Sequence, residues 1–237
     1  MSARPADSSV GLPDAFTATR DSLHRLAEHV LAAALFQSTG RIGLRVTAGG
    51  FGTPRFVHDG LERQVRIEGA ELVVVDGATR RTIEVHSIAQ AAEFVGIAAG
   101  GPAAVYALVT PLEPDAELTI DATSAAVTYE WLSLAADALE RFRTSHADLE
   151  PSTAQLWPEH FDLAISVAEV NYGGSLGDAQ HHAPYAYVGP WQPDAVTGEF
   201  WNTSFGAIRS HADCPSADAM VEFFETGRQL VNESGAG

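Results

Sequence analysis

The chain has 237 residues, 46% of them apolar, and is therefore long enough to bury one substantial core or two small ones. Its 31 acidic and 14 basic residues give a formal net charge of −17, which disfavours nucleic-acid partners and anionic membrane surfaces. All the basic residues are arginine, which excludes a Schiff base and a pyridoxal phosphate cofactor, and the lone Cys214 excludes an internal disulfide and a cysteine zinc site.

A long amphipathic helix is the first predicted element. Its apolar residues recur at intervals of three and four, the spacing of one helix face: Leu23, Leu26, Ala27, Val30, Leu31 and Ala34. Asp14 is predicted to cap the start of this helix and Gly40 to end it. Strands follow in RIGLRVT, RQVRIEG, AELVVVDG and TRRTIEV, with a glycine turn, AGGFGTP, after the first and a hairpin at Asp76-Gly77.

A shorter helix, SIAQAAEFVG, completes this half of the chain. Ser87 and Gln90 have the spacing of a capping box, and Gly96 is placed to end the helix. The second half repeats the order, with a long helix through Val127–Phe142, a strand HFDLAISVAEV, a turn NYGGSLG, a strand APYAYVG and an extended EFWNTSFGAI. A last helix is predicted to begin at Pro215.

These elements predict an α+β fold with mainly antiparallel strands. We expect a flexible N-terminus, residues 1–13, followed by two similar halves, 14–121 and 122–237, within one compact unit. Gly49-Gly50 and Gly173-Gly174 hold matching places in the two halves, which favours an internal duplication. Chance similarity of two α-β-β-β-α segments is the alternative.

Two polar residues, His160 and Asp162, distinguish one face of the strand HFDLAISVAEV. Because side chains alternate between the two faces of a strand, the other face is a core face made of Phe161, Leu163, Ile165 and Val167. The polar face continues with small residues, namely Ala164, Ser166 and Ala168. Small residues there predict the close approach of another element or of a ligand.

Asp178, His181 and His182 lie where the chain returns toward that strand if the two strands form a hairpin. Two histidines and a carboxylate are a common open site for a divalent transition metal, so His160, Asp162, Asp178 and His181 are the candidate metal ligands. In the catalytic interpretation, His160 or His181 is the general acid or base, and Asp162 and Asp178 are the residues that orient a histidine. The alternative is that these residues form structural hydrogen bonds.

Residues Gly173–Gly177 match the Gly-x-Ser-x-Gly pattern of a nucleophile elbow, which requires a helix directly after the serine. Asp178 instead begins a polar stretch that reaches Pro184. We therefore expect Ser175 to have no nucleophilic role, and we expect the glycines to form a tight turn.

Aromatic residues gather in the same part of the sequence. The candidate ligand-binding side chains are Trp157, Tyr185, Tyr187, Trp191 and Trp201. A pocket with aromatic walls and a few polar groups would use them in this way, and core packing is the alternative.

The segments LWPEHFDLA and GD…PYAYVGPW resemble those of a bacterial, largely actinobacterial, family of proteins of unknown function. The family carries a WP-x-HFD segment and a downstream GD…PY-x-YV segment. The resemblance implies that Trp157, His160, Asp162, Asp178, Pro184 and Tyr185 occupy the family's motif positions. Members often have an acidic residue directly before the proline, where this chain has Ala183.

A cytoplasmic protein is expected, because the first residues lack a signal-peptide pattern and no apolar run reaches membrane-spanning length. The leading hypothesis is a small-molecule pocket in the C-terminal half, serving an enzyme that uses a divalent metal or His/Asp acid–base chemistry. A non-catalytic ligand-binding protein and a structural or partner-binding protein are the alternatives. The sequence leaves a homo-oligomer open.

Overall fold

A computed structural model of the protein describes residues 11–235. The helices are α1 (Phe16–Leu26), a π-helical turn (Ala27–Leu31), α2 (Ala32–Thr39), α3 (Ile88–Val95), α4 (Ala122–Ser145) and α5 (Ala217–Gly235). The strands are β1 (Arg45–Thr47), β2 (Gly50–Gly52), β3 (Phe56–His58), β4 (Leu61–Glu68), β5 (Glu71–Asp76), β6 (Thr79–Glu84), β7 (Gln155–Trp157), β8 (Asp162–Val167), β9 (Val170–Ser175), β10 (Tyr185–Pro190) and β11 (Ala207–Ser210).

The strands form two antiparallel sheets, and the protein therefore has the α+β fold that the sequence predicts. In the first sheet the order is β1-β2-β4-β5-β6, with β3 paired to β4. In the second the order is β11-β10-β9-β8-β7. Strands that are neighbours in sequence are mostly neighbours in the sheet, which is the arrangement that short hairpin connections produce.

The chain divides into two compact units, which we call the N-terminal and the C-terminal unit. The N-terminal unit consists of Pro13–Ser133 and Gln155–Leu163. Among the described residues, the C-terminal unit consists of 11–12, 134–154 and 164–235. The division falls inside α4 and inside β8, so the units differ in their boundaries from the halves 14–121 and 122–237. Of the N-terminus that was expected to be flexible, residues 1–10 lie outside the described part of the chain.

Each unit has a buried core built on a helix and a sheet. In the N-terminal unit, every residue from Leu26 to Leu35 is buried, as are Val65, Ile67, Leu72 and Val74 of β4 and β5. In the C-terminal unit, the rings of Phe142, Tyr172 and Phe224 join α4, β9 and α5, with ring centroids 4.5–5.7 Å apart. Between residues 11 and 235, no helix is both long and apolar enough to cross a membrane.

Several local signals in the sequence are confirmed. Strands β5 and β6 form a hairpin around Asp76-Gly77, and Gly40 and Gly96 end their helices in the left-handed conformation that glycine adopts without strain. The Ser87 side chain accepts a hydrogen bond from the Gln90 backbone N–H at the start of α3.

The turn expected at NYGGSLG is wrong. Residues 170–175 form strand β9, and the chain reverses earlier, at Ala168-Glu169, where both residues have positive φ (44° and 63°). This is the backbone of a two-residue hairpin turn, which glycine and asparagine favour and which these residues do not signal. Gly173 serves close packing, because a Cβ there would lie 2.6 Å from the Tyr187 ring.

The expected equivalence of Gly49-Gly50 and Gly173-Gly174 is also wrong, because no turn occurs at Gly173-Gly174. Gly49 lies in a turn with φ of 71°, whereas Gly173 and Gly174 lie within a strand. Both parts of the chain do run from a helix through antiparallel strands to a helix. The internal duplication stays a prediction.

Two expected helix starts, the cap at Asp14 and the first helical residue at Pro215, are also wrong. The residue before α1 is Ala15, with no side-chain cap, so Asp14 does not play that part. Helix α5 begins at Ala217, two residues after Pro215, and the Ser216 side chain accepts a hydrogen bond from the Ala219 backbone N–H. Ser216 therefore caps the helix, because its hydroxyl satisfies a free N–H of the first turn, and a proline side chain cannot do this.

Candidate functional site

The four candidate metal ligands divide between the two units. His160 and Asp162 belong to the N-terminal unit, where His160 is exposed and Asp162 is buried at the start of β8. Asp178 and His181 belong to the C-terminal unit, in the connection between β9 and β10. Within residues 11–235, no three or more His, Cys, Asp or Glu side chains are grouped so that they could hold a metal ion. The metal interpretation thus finds no donor set in the described residues.

The structure brings Asp178 and His181 together in a tight turn. One carboxylate oxygen of Asp178 accepts hydrogen bonds from the backbone N–H groups of Gln180 (2.6 Å) and His181 (2.8 Å), and the other accepts from the Tyr185 hydroxyl (2.8 Å). The Asp178 N–H donates to the His181 carbonyl at 2.7 Å. An aspartate that binds the backbone two and three residues ahead is the usual means of fixing such a turn.

These contacts determine the charge state of Asp178. Partial burial raises its pKa, but the hydrogen bonds from His181, Tyr185 and Gln180 outweigh that effect and hold the pKa below its ordinary value. The carboxylate is therefore a fixed anion at neutral pH. Its two oxygens already accept three hydrogen bonds, so a proton transfer at Asp178 would break this turn.

A row of aromatic rings extends from this turn along one face of the sheet. The His181 ring meets the Tyr185 ring edge to face, with centroids 5.3 Å apart, and Tyr187 and Phe205 continue the row at 6.4 and 6.3 Å. Tyr187 reaches across β9 over Gly173. Of the predicted ligand-binding residues, Tyr185 and Tyr187 lie here, in contact with each other.

No helix follows Ser175 in the structure, as the sequence predicts. It ends β9, and no helix occurs between residues 176 and 184. Its buried hydroxyl accepts a hydrogen bond from the Gly177 N–H at 3.1 Å. The structural context of a nucleophile elbow is therefore absent at this serine.

The three candidate tryptophans lie in different surroundings. Trp157 is half-buried in β7 of the N-terminal unit, and Trp201 is half-buried with its ring 4.9 Å from that of Phe200. Trp191 is different, because 60% of its surface is exposed. Its indole N–H nevertheless donates to the Asn171 side chain at 3.1 Å, and its backbone N–H donates to Glu169 at 2.9 Å.

Trp191 forms one wall of a cavity of about 210 Å³ in the C-terminal unit. The cavity lies beside the β8–β9 turn and the C-terminal part of α5. Its apolar lining includes Val170, Pro190, Val196 and Val231, and its polar lining includes Glu169 and Ser234. A larger depression, about 560 Å³, lies between His146 and the polar face of α5, and apart from the backbone it is lined by polar and charged side chains only.

Sequence reasoning missed a buried polar pair, Glu28 and His29, in the N-terminal unit. Both lie on the π-helical turn, and both have no solvent exposure. Their side chains bind residues 101–110, in the long connection between α3 and α4. Single π-helical turns occur frequently at functional sites.

One signal in the sequence could have identified this pair. The segment LAEHVLAAAL is apolar or small at every position except Glu28 and His29. A helix that is apolar on all sides is buried on all sides, so a charged residue within it must find buried partners.

Comparisons with protein-family models, with curated proteins and with solved structures found no match for this chain.

Proposed function

We propose that the protein is a cytosolic ligand-binding protein whose C-terminal unit holds a small, largely apolar ligand in the cavity beside Trp191. The observation that carries this proposal is an exposed indole held in one place. Leaving a large aromatic side chain in water forgoes favourable burial. Two hydrogen bonds fix Trp191 there, and Asn171, which accepts one of them, also accepts from the Ser166 hydroxyl at 2.8 Å.

Such an arrangement favours binding because the wall is fixed before the ligand arrives. A side chain that is already ordered loses little conformational entropy on binding. The cavity is smaller than the roughly 300–1,000 Å³ of sites for drug-sized molecules, so it fits a small ligand or one ring of a larger one.

The charge of the lining suggests which ligands are preferred. Glu169 is the charged residue of the lining, and the face of an indole attracts cations. A net charge of −17 further disfavours anions. We therefore expect a small aromatic or aliphatic amine to bind better than a neutral or acidic molecule of equal size.

Binding is better supported than acid–base catalysis at Asp178 and His181. Nδ1 of His181 lies 3.8 Å from the Asp178 carboxylate, and its side chain is 35% exposed, so a ligand could reach it. However, the carboxylate oxygens are committed to the turn and to Tyr185. A catalytic histidine is usually oriented by a short hydrogen bond that its ring N–H donates to a carboxylate, and at 3.8 Å that bond is lacking here.

The test uses three probes of one shape and different charge: benzylamine, benzyl alcohol and benzoate. Each is titrated into ¹⁵N-labelled protein while the four tryptophan indole N–H signals are followed by NMR. We expect benzylamine to shift the Trp191 signal most and benzoate least. Trp191→Ala should abolish the accompanying shifts of the backbone amides that line the cavity, whereas Trp201→Phe, a control on the other tryptophan of this unit, should leave the response unchanged.

A different result would reject the proposal. If none of the probes shifts the Trp191 signal at concentrations where a weak complex forms, the cavity is not a binding site for this class. The same conclusion follows if the shifts persist at other sites in Trp191→Ala.

A further inference from the structure

Residues 97–121 form a long connection between α3 and α4 without a helix or strand. Connections of more than about 12–15 residues without secondary structure are uncommon in compact domains and are usually functional. Four of its apolar side chains face solvent, namely Val105, Leu108, Val109 and Leu112. We call residues 100–112 the lid segment, because they cover Glu28 and His29.

Glu28 binds the far end of the lid segment. Its carboxylate accepts hydrogen bonds from the backbone N–H groups of Val109 (3.0 Å) and Thr110 (2.8 Å), and from the Thr110 hydroxyl (2.5 Å). Hydrogen bonds to an ionised acceptor are the strong ones, and the Glu28 side chain that accepts all three is fully buried. This end of the segment is thus fixed by a buried charge.

His29 binds both ends of the same segment, and its contacts define its protonation. Nδ1 accepts a hydrogen bond from the Gly101 backbone N–H at 3.1 Å and therefore carries no proton. Nε2 lies 3.1 Å from the Thr110 carbonyl, to which it donates. The imidazole is consequently neutral, with its proton on Nε2. The His29 carbonyl also accepts from the Gly100 N–H at 3.1 Å.

We infer that the lid segment is a pH-sensitive lid, which His29 holds closed while it is neutral and releases when Nδ1 takes a proton. A protonated Nδ1 points its hydrogen at the Gly101 N–H, so an attractive contact becomes a repulsive one. Release uncovers the Glu28 carboxylate and the His29 ring. Release also leaves the four exposed apolar side chains on a backbone that is no longer held in place.

The charges around His29 do not prevent this switch. Burial lowers the pKa of His29, while the neighbouring Glu28 carboxylate, 3.8 Å away, raises it and Arg25 lowers it again. Both charged groups lie on the same helix as His29. The lid segment contributes Thr110, which is uncharged, and Tyr106, which is half-buried and whose pKa is raised by burial and by the Glu28 and Glu159 carboxylates, so that its hydroxyl stays neutral. Helix α3, which packs against the π-helical turn, buries Ile88, Ala91, Ala92 and Val95, and none of these titrates.

The sign of the pH dependence follows from the direction of that shift. In the closed state the pKa of His29 is below the ordinary value of about 6.5, and in the open state it returns to that value. The open state therefore binds the additional proton. Closure is fully stable above about pH 6.5 and is weakened as the pH falls from there to the pKa of the closed state.

Amide hydrogen exchange of the full chain between pH 5 and 8 tests the lid directly. After correction for intrinsic exchange rates, the equilibrium constant for opening at the Gly101, Val109 and Thr110 amides should rise as the pH falls below about 6.5. The rise should be up to about tenfold per pH unit, which is the slope for the uptake of one proton. Above pH 7 it should be constant. Core amides of β5 should keep their protection throughout, which separates opening of the lid from unfolding of the unit.

Two variants complete the test. His29→Gln should lose the pH dependence at the three lid amides, because glutamine does not titrate. His24→Gln is the matched control: His24 is half-buried on the same helix with a lowered pKa, but it contacts the Pro158 carbonyl and not the lid. It should keep the wild-type slope.

Three results would overturn the inference. One is equal protection of the lid amides at pH 5 and pH 8 in the wild-type protein, a result that does not depend on whether a variant folds. The others are a slope that survives in His29→Gln and a slope that disappears in His24→Gln.

Discussion

Replacing Glu28 with glutamine tests whether the buried carboxylate stabilises the N-terminal unit. Glutamine has nearly the same shape but offers one oxygen, and its amide nitrogen must face one of the two backbone N–H groups that the carboxylate now binds. The Thr110 hydroxyl can rotate to accept from that nitrogen, because a hydroxyl both donates and accepts. A backbone N–H cannot, so one donor that faces the fully buried side chain is left unpaired.

The expected loss can be worked from these contacts. A hydrogen bond to a charged group contributes about 1.5–3 kcal/mol, and a buried donor left unpaired costs about 1–3 kcal/mol. Removing a buried charge recovers part of its desolvation cost. We therefore expect Glu28→Gln to lower the free energy of unfolding by about 2–4 kcal/mol, a large share of the 5–15 kcal/mol typical of a domain.

Urea unfolding followed by circular dichroism measures this loss. Glu130→Gln is the matched control, since Glu130 is an exposed glutamate on α4 of the same unit. That variant should stay within about 0.5 kcal/mol of wild type. If Glu28→Gln also stays within that range, the contacts between Glu28 and residues 109–110 do not stabilise the protein, and the reasoning is refuted.

Three further changes have expected outcomes. Ser175→Ala should cost about 0.5–1.5 kcal/mol, the contribution of one hydrogen bond, and a fluorophosphonate probe should not label the wild-type serine; labelling would contradict the rejection of the elbow. Asp178→Asn should speed amide exchange in the turn. In the wild-type protein the pKa of Asp178 is lowered, so the stabilisation of the turn by the carboxylate is present at neutral pH and is lost only as the pH falls through that pKa. An acid titration followed by NMR would measure this loss. Gly50→Ala should destabilise severely in thermal unfolding, since its Cβ would lie 2.1 Å from the Ile67 carbonyl, whereas Gly189→Ala, with no neighbour nearer than 3.7 Å, should be tolerated.

Much of the fold could be predicted from the sequence, because its signals are local. Apolar spacing located the helices, and Ser87, Gly96 and Asp76-Gly77 marked ends and turns through chemistry that acts within four residues. The turn at Ala168-Glu169 could not be located in this way. Neither residue favours positive φ, and the conformation is adopted because the flanking strands pair.

The candidate site was harder to predict, because it depends on contacts distant in sequence. His160 and Asp162 are close to Asp178 and His181 along the chain, but the division into units falls between them. Glu28 and Thr110, by contrast, are 82 residues apart and are joined by hydrogen bonds. No spacing rule links a helix residue to a loop at that distance.

Burial distinguishes the two carboxylates that bind loop backbone in this protein. Asp178 and Glu28 each accept three hydrogen bonds, two of them from backbone N–H groups. The Asp178 side chain is 45% exposed, so water can replace it as an acceptor if the turn opens, and such exposed contacts contribute little. Glu28 is fully buried, and a lid that leaves it must either admit water or leave a charge without partners. We therefore expect the cluster that is conspicuous in the sequence to have the smaller energetic effect, whereas the pair within the apolar helix binds the longest loop found between residues 11 and 235.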